Sequence, residues 1–218
     1  MTHHEQKKIN VTKANPKANP KANPKVKLLT RIDRVAFYGS ADIAEDHPVC
    51  RAAYEVAAYV ASQNKIVVNG GGPGVMGAAT RGAKSKNGKT LAVTFRPVDM
   101  PEFEGRDAKN VVDQEIKTAN YLERMAGLMD NADLFVCFQG GTGTLSEWAT
   151  AWLLAHLHYG NHKPLILYGH FWYEVMEVIH KNFLIGYKES KVYRIVDNLE
   201  EFKVALHLFE DEMRERQK

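Results

Sequence analysis

Residues 134–147 read Leu-Phe-Val-Cys-Phe-Gln-Gly-Gly-Thr-Gly-Thr-Leu-Ser-Glu. The first five are apolar and predict a buried β-strand, and the glycines that follow predict a tight turn that opens a helix. Such a turn aims bare backbone N–H groups and the positive end of a helix dipole at one point, which favours binding of a phosphate. The stretch therefore predicts a strand–turn–helix unit that holds a phosphorylated ligand.

A second glycine-rich loop, Gly70–Gly77, follows another apolar segment, Ile66–Val68. Two such loops in one small chain make a phosphorylated small molecule the leading prediction for the ligand. The second loop also contains the G-x-G-x-x-G pattern of dinucleotide-binding proteins. It follows the second predicted strand instead of the first, however, and no acidic residue ends the third strand. An NADP-dependent oxidoreductase is therefore the weakest alternative.

Apolar segments alternate with helical patterns from about residue 31 onward. Strands are predicted at residues 34–38, 66–69, 90–95, 111–116, 134–138, 164–168 and 192–196. Helices are predicted at residues 47–63, 75–85, 120–131, 144–158, 171–183 and 199–216. Nearly continuous apolar strands between helices are typical of a parallel sheet covered on both faces. We predict a Rossmann-like, doubly wound α/β fold with a mostly parallel sheet, which binds its ligand beyond the carboxyl ends of the strands.

The positive charge of the chain is concentrated at its N-terminus. Residues 1–27 contain seven lysines and one acid, a net charge of +6, whereas the whole chain carries +3, so the remainder carries −3. Residues 13–24 repeat Lys-Ala-Asn-Pro three times, a composition that does not support regular structure. We predict a disordered basic tail at residues 1–30 and one domain at residues 31–218. The acidic domain argues against nucleic acid as a partner.

Composition and residue spacing also bear on the cellular compartment, on membrane association and on metal binding. No apolar run is long enough to cross a bilayer, so no membrane partner is expected. Cys50 and Cys137 fall in a helical pattern and a buried strand, as expected of thiols in a reducing cytoplasm. His156 and His158 diverge by roughly 200° on a helix, and His162 follows the helix, so no metal site is predicted.

Two interpretations compete for Thr144 and Glu147. Their spacing fits the S/T-x-x-E capping box, in which both side chains only satisfy donors at the helix end. The same helix end should receive the phosphate, however, which would place Glu147 one helical turn from a bound sugar. The residues alone leave both roles open.

The two loops together, Gly71–Gly77 and Gly140–Glu147, resemble the paired signature of the LOG (Lonely Guy) family. Its members are nucleoside 5′-monophosphate phosphoribohydrolases, often labelled "lysine decarboxylase". The similarity runs from about Val35 to about Phe202. Gly39-Ser40, Glu123-Arg124 and Lys163-Pro164 agree with the pattern, and the chain departs from it at Val75, Met125 and Gln139.

The resemblance implies hydrolysis of an N-glycosidic bond to free base and ribose 5-phosphate, without a cofactor, by a homodimer or larger homo-oligomer. It implies that Arg124 and Glu147 are the catalytic pair. It also implies a set of nucleotide-binding residues: Ser40, Gly72, Met76, Gly140, Gly141, Thr142, Gly143 and Thr144. A carboxylate near the ribose can stabilise an oxocarbenium-like state or activate water. A guanidinium beside it can orient that carboxylate or grip the phosphate.

Other functions remain open for this sequence. A non-catalytic nucleotide or molybdenum-cofactor carrier shares the fold and the glycine loops. The presence of both Arg124 and Glu147 favours the enzyme, whereas Gln139 and Met125 leave room for the carrier. Lysine decarboxylation is disfavoured because nothing resembles the setting of a pyridoxal phosphate lysine. The base is also left open: a cytokinin riboside phosphate, AMP or another monophosphate would fit.

Overall fold

The structure is a computed structural model that describes residues 28–100, 103 and 105–216. Nearly all of the predicted tail at residues 1–30 lies outside the described residues. The strands are β1 Arg34–Tyr38, β2 Ile66–Asn69, β3 Thr90–Phe95, β4 Gln114–Thr118, β5 Leu134–Cys137, β6 Leu165–Tyr168 and β7 Tyr193–Val196. The helices are α1 Pro48–Ser62, α2 Gly74–Lys84, α3 Tyr121–Asp130, α4 Thr142–Leu157, α5 Phe171–Asn182, α6 Tyr187–Ser190 and α7 Leu199–Glu215.

The described strands form one parallel sheet in the order β4-β3-β2-β1-β5-β6-β7. Val35 at the centre pairs with Val67 on one side and Leu134 on the other. The chain winds from β1 to one edge of the sheet and then returns to β5 and winds to the other edge. The order of the strands therefore reverses between β1 and β5, where such sheets form a crevice. The predicted doubly wound α/β fold is confirmed.

Helices cover both faces of the sheet because alternate residues of each strand point to opposite sides. Val35 and Phe37 pack in a core with α1, α2 and α7. Ala36 and Tyr38 pack in a second core with α3, α4 and α5. Both faces are apolar, which explains why the central strands are continuous apolar runs in the sequence.

Most predicted ends lie within one residue of the observed ones, and three differences are larger. β4 begins at Gln114, three residues later than predicted, because its residues are mostly exposed at the sheet edge and carry no apolar pattern. The four-residue helix α6 was not predicted. α4 begins at Thr142, two residues earlier than predicted. Among the described helices, none has the length and apolar character needed to cross a membrane.

Candidate active site

A cleft of about 600 Å³ opens beyond the carboxyl ends of β1 and β5, at the point where the strand order reverses. The predicted site residues that line it are Ser40, Met76, Arg124, Gly141, Thr142, Gly143, Thr144 and Glu147. Gly72 and Gly140 are the two predicted residues that do not line the cleft, and each packs behind a residue that does. A Cβ on Gly72 would lie 2.4 Å from Met76 Cε, and one on Gly140 would lie 2.2 Å from Thr144 Oγ1.

The loops after β1, β2 and β5 are tied together at this edge of the sheet. The Ser40 N–H donates to the Gln139 carbonyl at 3.0 Å, and the Val75 N–H donates to the Ser40 carbonyl at 2.9 Å. Gly74 adopts a φ of +58°, and a Cβ there would lie 2.2 Å from the Ser40 carbonyl oxygen. Only glycine therefore permits this approach, which holds the three loops in one arrangement.

The N-terminus of α4 is open toward the cleft. Its N-cap is Gly141, which has no side chain to accept from the helix, and the first turn carries no acidic residue. The first N–H groups of a helix have no intrahelical acceptor, so those of Thr142, Gly143 and Thr144 are available to an anion. A Cβ on Gly141 or Gly143 would meet no atom within 4 Å, so the loop is not crowded.

The start of α4 also decides between the two interpretations of Thr144 and Glu147. Because the N-cap is Gly141, Thr144 is the third residue of the helix and Glu147 the sixth. The two residues therefore do not form a capping box, and that interpretation is wrong. Glu147 lies in the second turn with its side chain 9% exposed, and it lines the cleft.

Arg124 and Glu147 form a buried ion pair in the floor of the cleft. Arg124 Nη1 lies 3.4 Å from Glu147 Oε1, and the two side chains are 5% and 9% exposed. Arg124 Nε donates to the Val93 carbonyl at 3.2 Å, and Nη2 lies 3.9 Å from Met76 Sδ. These contacts direct the guanidinium at Glu147, which favours its role in orienting the carboxylate over a role in gripping phosphate.

The capping of α3 explains how neighbouring residues Glu123 and Arg124 take different roles. The Asn120 side chain caps α3 by accepting from the Glu123 N–H at 2.9 Å. The Glu123 carboxylate in turn accepts from the Ala119 N–H at 3.0 Å, at the exposed end of the helix. Arg124 follows on the inward face and extends into the cleft. Glu123 is thus a helix cap, and only Arg124 belongs to the site.

The charge of Glu147 acts on two buried groups beneath it. Burial raises the pKa of the Tyr38 hydroxyl and of the Cys137 thiol well above their ordinary values, and the negative charge of Glu147 raises both further. Both groups therefore stay protonated at neutral pH. Neither group therefore supplies a base to the cleft.

The backbone groups of the second glycine loop form hydrogen bonds mainly with side chains that pack against the loop. The Asn69 side chain accepts from the Gly71 N–H at 2.8 Å and donates to Thr80 Oγ1 at 2.9 Å. The Asn110 side chain donates to the Gly72 carbonyl at 2.8 Å. The contribution of this loop to the cleft lining is the Met76 side chain.

Sequence reasoning missed several residues that line the cleft, among them Asp42, Phe103 and Tyr121. They come from the loop after β1, the long segment between β3 and β4, and the first position of α3. No spacing in the sequence links these three places. The aromatic character of Phe103 and Tyr121 was the one available signal, since each lies in or next to a segment that follows a predicted strand.

A second cavity, of about 590 Å³, lies at the amino ends of the strands and contains none of the predicted site residues. Lys163 lies in its wall and donates to the Met129 carbonyl at 2.7 Å, so this lysine of the family pattern stabilises the end of α3. Within the described residues, no group of three His, Cys, Asp or Glu side chains is placed to hold a metal ion.

These features define a Rossmann-like protein with a candidate nucleotide site. They are the doubly wound sheet, the open helix N-terminus and the buried ion pair at the point where the strand order reverses. The sequence model of the SLOG cluster4 family matches residues 33–194, and the chain belongs to this family. The resemblance to the LOG family is thereby confirmed.

Two curated relatives align with parts of the chain. An uncharacterized protein of Archaeoglobus fulgidus is 33% identical over 106 residues, which are 49% of this chain and 66%, just under two thirds, of the relative. A protein of Mycobacterium marinum named cytokinin riboside 5′-monophosphate phosphoribohydrolase is 31% identical over 141 residues, which are 63% of this chain and 72% of the relative.

Solved structures share the fold at lower identity. The structural-genomics target TM1055 superposes with a TM-score of 0.60 and 22% identity, over 81% of this chain and 99% of that one. The molybdenum cofactor carrier protein of Chlamydomonas reinhardtii superposes with a TM-score of 0.57 and 23% identity, over 82% and 98%. At these identities the likeness establishes the fold alone.

Proposed function

We propose that the protein hydrolyses the N-glycosidic bond of a nucleoside 5′-monophosphate, releasing the free base and ribose 5-phosphate. The observation that carries this proposal is the Arg124–Glu147 pair, 3.4 Å apart and buried beneath the open N-terminus of α4. The name of the mycobacterial relative supports the same reaction. The released base is a cytokinin-type or an adenine-type base, and an assay with a panel of monophosphates identifies which.

The geometry suggests how each part acts. The 5′-phosphate binds the N–H groups of Thr142, Gly143 and Thr144, so that the ribose lies over Glu147. As the bond from C1′ to the base breaks, the base takes the electron pair, and positive charge develops on the sugar. The Glu147 carboxylate stabilises this charge and orients the water whose oxygen bonds to C1′. One water proton passes to the leaving base, directly or through solvent.

We further propose that residues 31–218 act as one domain in a cytoplasmic homodimer. The single sheet of the described residues supports one domain. Cys50 and Cys137 are both free and buried, as suits a reducing compartment. Exposed leucines along α4, namely Leu145, Leu153 and Leu157, support the dimer, because monomers rarely expose contiguous apolar patches.

The test is a chromatographic assay of base release from a panel of nucleoside 5′-monophosphates and the matching nucleosides. We expect base from monophosphates only, with activity lost in Glu147→Gln, which keeps the size of the side chain but removes its charge. Glu177→Gln, an exposed glutamate on α5, is the matched control and should retain activity.

A carrier is the alternative outcome, and the fold shared with the Chlamydomonas carrier is its support. Tight binding of monophosphates without release of base from any of them would reject the hydrolase and favour the carrier. Equal cleavage of nucleosides and monophosphates would reject the phosphate-binding role of α4.

A further inference from the structure

The Arg124 side chain is 5% exposed and contacts residues from several elements around the cleft. Val93 accepts from Nε, Glu147 lies at Nη1, and Met76 lies at Nη2. Two aromatic rings approach the guanidinium carbon as well: the centroid of Phe103 lies 5.7 Å from Arg124 Cζ, and that of Tyr121 lies 5.9 Å away. Both distances fall within the range of cation–π contacts.

The two rings belong to a cluster that is anchored in the sheet. Phe95, the last residue of β3, is buried and lies 4.7 Å from Phe103 and 6.1 Å from Tyr121, measured between ring centroids. Phe103 and Tyr121 meet edge to face at 6.4 Å. This mutual packing restricts the rotation of both rings and so presents a fixed aromatic wall to Arg124.

Tyr121 is the member of this wall that lies on the same helix as Arg124. It is the first residue of α3 and precedes Arg124 by three positions, so the two side chains lie on the same face of the helix. The arginine has several rotatable bonds and one hydrogen bond to the backbone, at Nε. The two rings therefore supply contacts that restrain the guanidinium in addition to this hydrogen bond and the ion pair with Glu147.

We infer that Tyr121, braced by Phe103 and Phe95, is a positioning residue that holds the Arg124 guanidinium against Glu147. This inference rests on the proposed function, because the pair it aligns is the proposed catalytic pair. The wall acts through the π-face of the ring and does not need the hydroxyl group. Phenylalanine at position 121 should therefore preserve the position of the guanidinium. Leucine, which has no π-face, should not preserve it.

The kinetic test compares Tyr121→Phe and Tyr121→Leu in the base-release assay. We expect Tyr121→Leu to lower kcat about tenfold while KM changes less than about threefold, because misalignment affects the transition state more than substrate binding. Tyr121→Phe should stay within about twofold of the wild type. The matched control is Tyr187→Leu, which removes an exposed tyrosine whose ring contacts Lys191 at 5.1 Å, outside the cleft.

A raised KM with unchanged kcat in Tyr121→Leu would overturn the inference and assign the ring to stacking on the base. Equal loss of kcat in Tyr121→Phe and Tyr121→Leu would overturn it too. If Tyr121→Leu unfolds, Phe103→Leu removes the brace instead and should give the same split between kcat and KM.

A crystal structure of Tyr121→Leu supplies a readout that does not depend on activity. A guanidinium displaced from Glu147 would support the positioning role. An Nη1–Oε1 distance unchanged from 3.4 Å would overturn it, whether or not the wild-type protein releases base. A wild type that releases no base would reject the proposed function and leave this structural test to decide the role of Tyr121.

Discussion

At the scale of single residues, the Arg124–Glu147 pair depends on a position that has no side chain. A Cβ on Gly70 would lie 1.7 Å from Arg124 Nη2 and 3.0 Å from Met76 Sδ. Gly70 has no positive φ, so its backbone conformation is open to any residue. Glycine is therefore required here for space and not for conformation.

Replacing Gly70 with alanine should displace the guanidinium while leaving the fold intact. We expect base release to fall about a hundredfold, because a displacement of about 1 Å in a catalytic group can cost that much. The circular dichroism spectrum should match the wild type. The control is Gly77→Ala in α2, where a Cβ would meet the flexible end of Arg81 at 3.3 Å and the Gly72 carbonyl oxygen at an ordinary contact distance of 3.8 Å. Full activity in Gly70→Ala would show that Arg124 has another productive position.

His162 is a second residue whose surroundings decide its chemistry. It is 4% exposed and its ring stacks on Tyr159, with centroids 5.6 Å apart. Arg216 Nη2 lies 3.3 Å from His162 Nε2. Burial, and secondly the charge of Arg216, lower the pKa of His162 from 6.5 to about 4. His162 is therefore neutral in the folded protein at neutral pH.

This lowered pKa predicts a loss of stability in mild acid. Above pH 6.5 the imidazole is neutral in both the folded and the unfolded chain, so its contribution is fully present. Between pH 6.5 and about 4 the unfolded chain binds the proton first, and stability falls as the pH falls. The free energy of unfolding should drop by about 2 kcal/mol from this residue between about pH 7.5 and pH 5.

Urea unfolding of the wild type and of His162→Gln at both pH values measures this contribution. Glutamine does not titrate, so the variant should show a smaller difference between the two pH values. The same difference in both proteins would mean that other groups cause the acid sensitivity.

At the scale of elements, the position at which α4 begins determines the geometry of the proposed phosphate site. Starting at Thr142 leaves an N-terminus without a side-chain cap, and the turn before it is packed closely against the loop after β1. A Cβ on Gly140 would lie 2.2 Å from Thr144 Oγ1 and 2.8 Å from the Ser40 backbone nitrogen. The turn and the helix start therefore form one rigid unit.

Gly140→Ala should disrupt the packing between the turn and the start of α4. It should thereby weaken binding of ribose 5-phosphate. We expect at least a tenfold loss of affinity, about 1.4 kcal/mol, in a titration followed by thermal stabilisation of the protein. Gln139→Ala is the matched control, because its side chain is exposed in the same turn and should not matter. Equal affinity of the two variants would place the phosphate elsewhere.

At the scale of the whole molecule, the apolar residues of α4 face both the core and the solvent. Trp148, Ala151 and Ala155 are buried, whereas Leu153 and Leu157 on the other side are 55% and 63% exposed. A helix that is apolar on all sides is normally buried on all sides. A second copy of the chain is the partner that we expect to cover it.

Light scattering after size exclusion should give a mass twice the 24.5 kDa of one chain. Leu153→Glu should reduce this mass to that of a monomer, because a buried unpaired charge opposes association. Val204→Glu, on the exposed side of α7, is the control and should remain dimeric. A monomeric wild type would refute the dimer.

The sequence predicted the central architecture because its signals are local. Val35, Val67 and Leu134 belong to apolar runs that only a sheet buried on both faces explains, and the glycines after them mark the loops of the cleft. It also placed Arg124 and Glu147 in one site through resemblance. It misplaced the exposed edge strand β4, whose residues carry no burial pattern.

The sequence by itself determined the parallel sheet, the glycine turn and the residue types at the point where the strand order reverses. Burial and backbone conformation both have signals within short stretches of chain, which is the reason. Only the tertiary structure decided that Glu147 pairs with Arg124 and does not cap α4, because that depends on the residue at which the helix begins. The aromatic wall of Phe103 and Tyr121 likewise appeared only in three dimensions. Phe103 lies between β3 and β4 and Tyr121 lies in α3, and the packing of both rings on Phe95 at the end of β3 brings them to the same guanidinium.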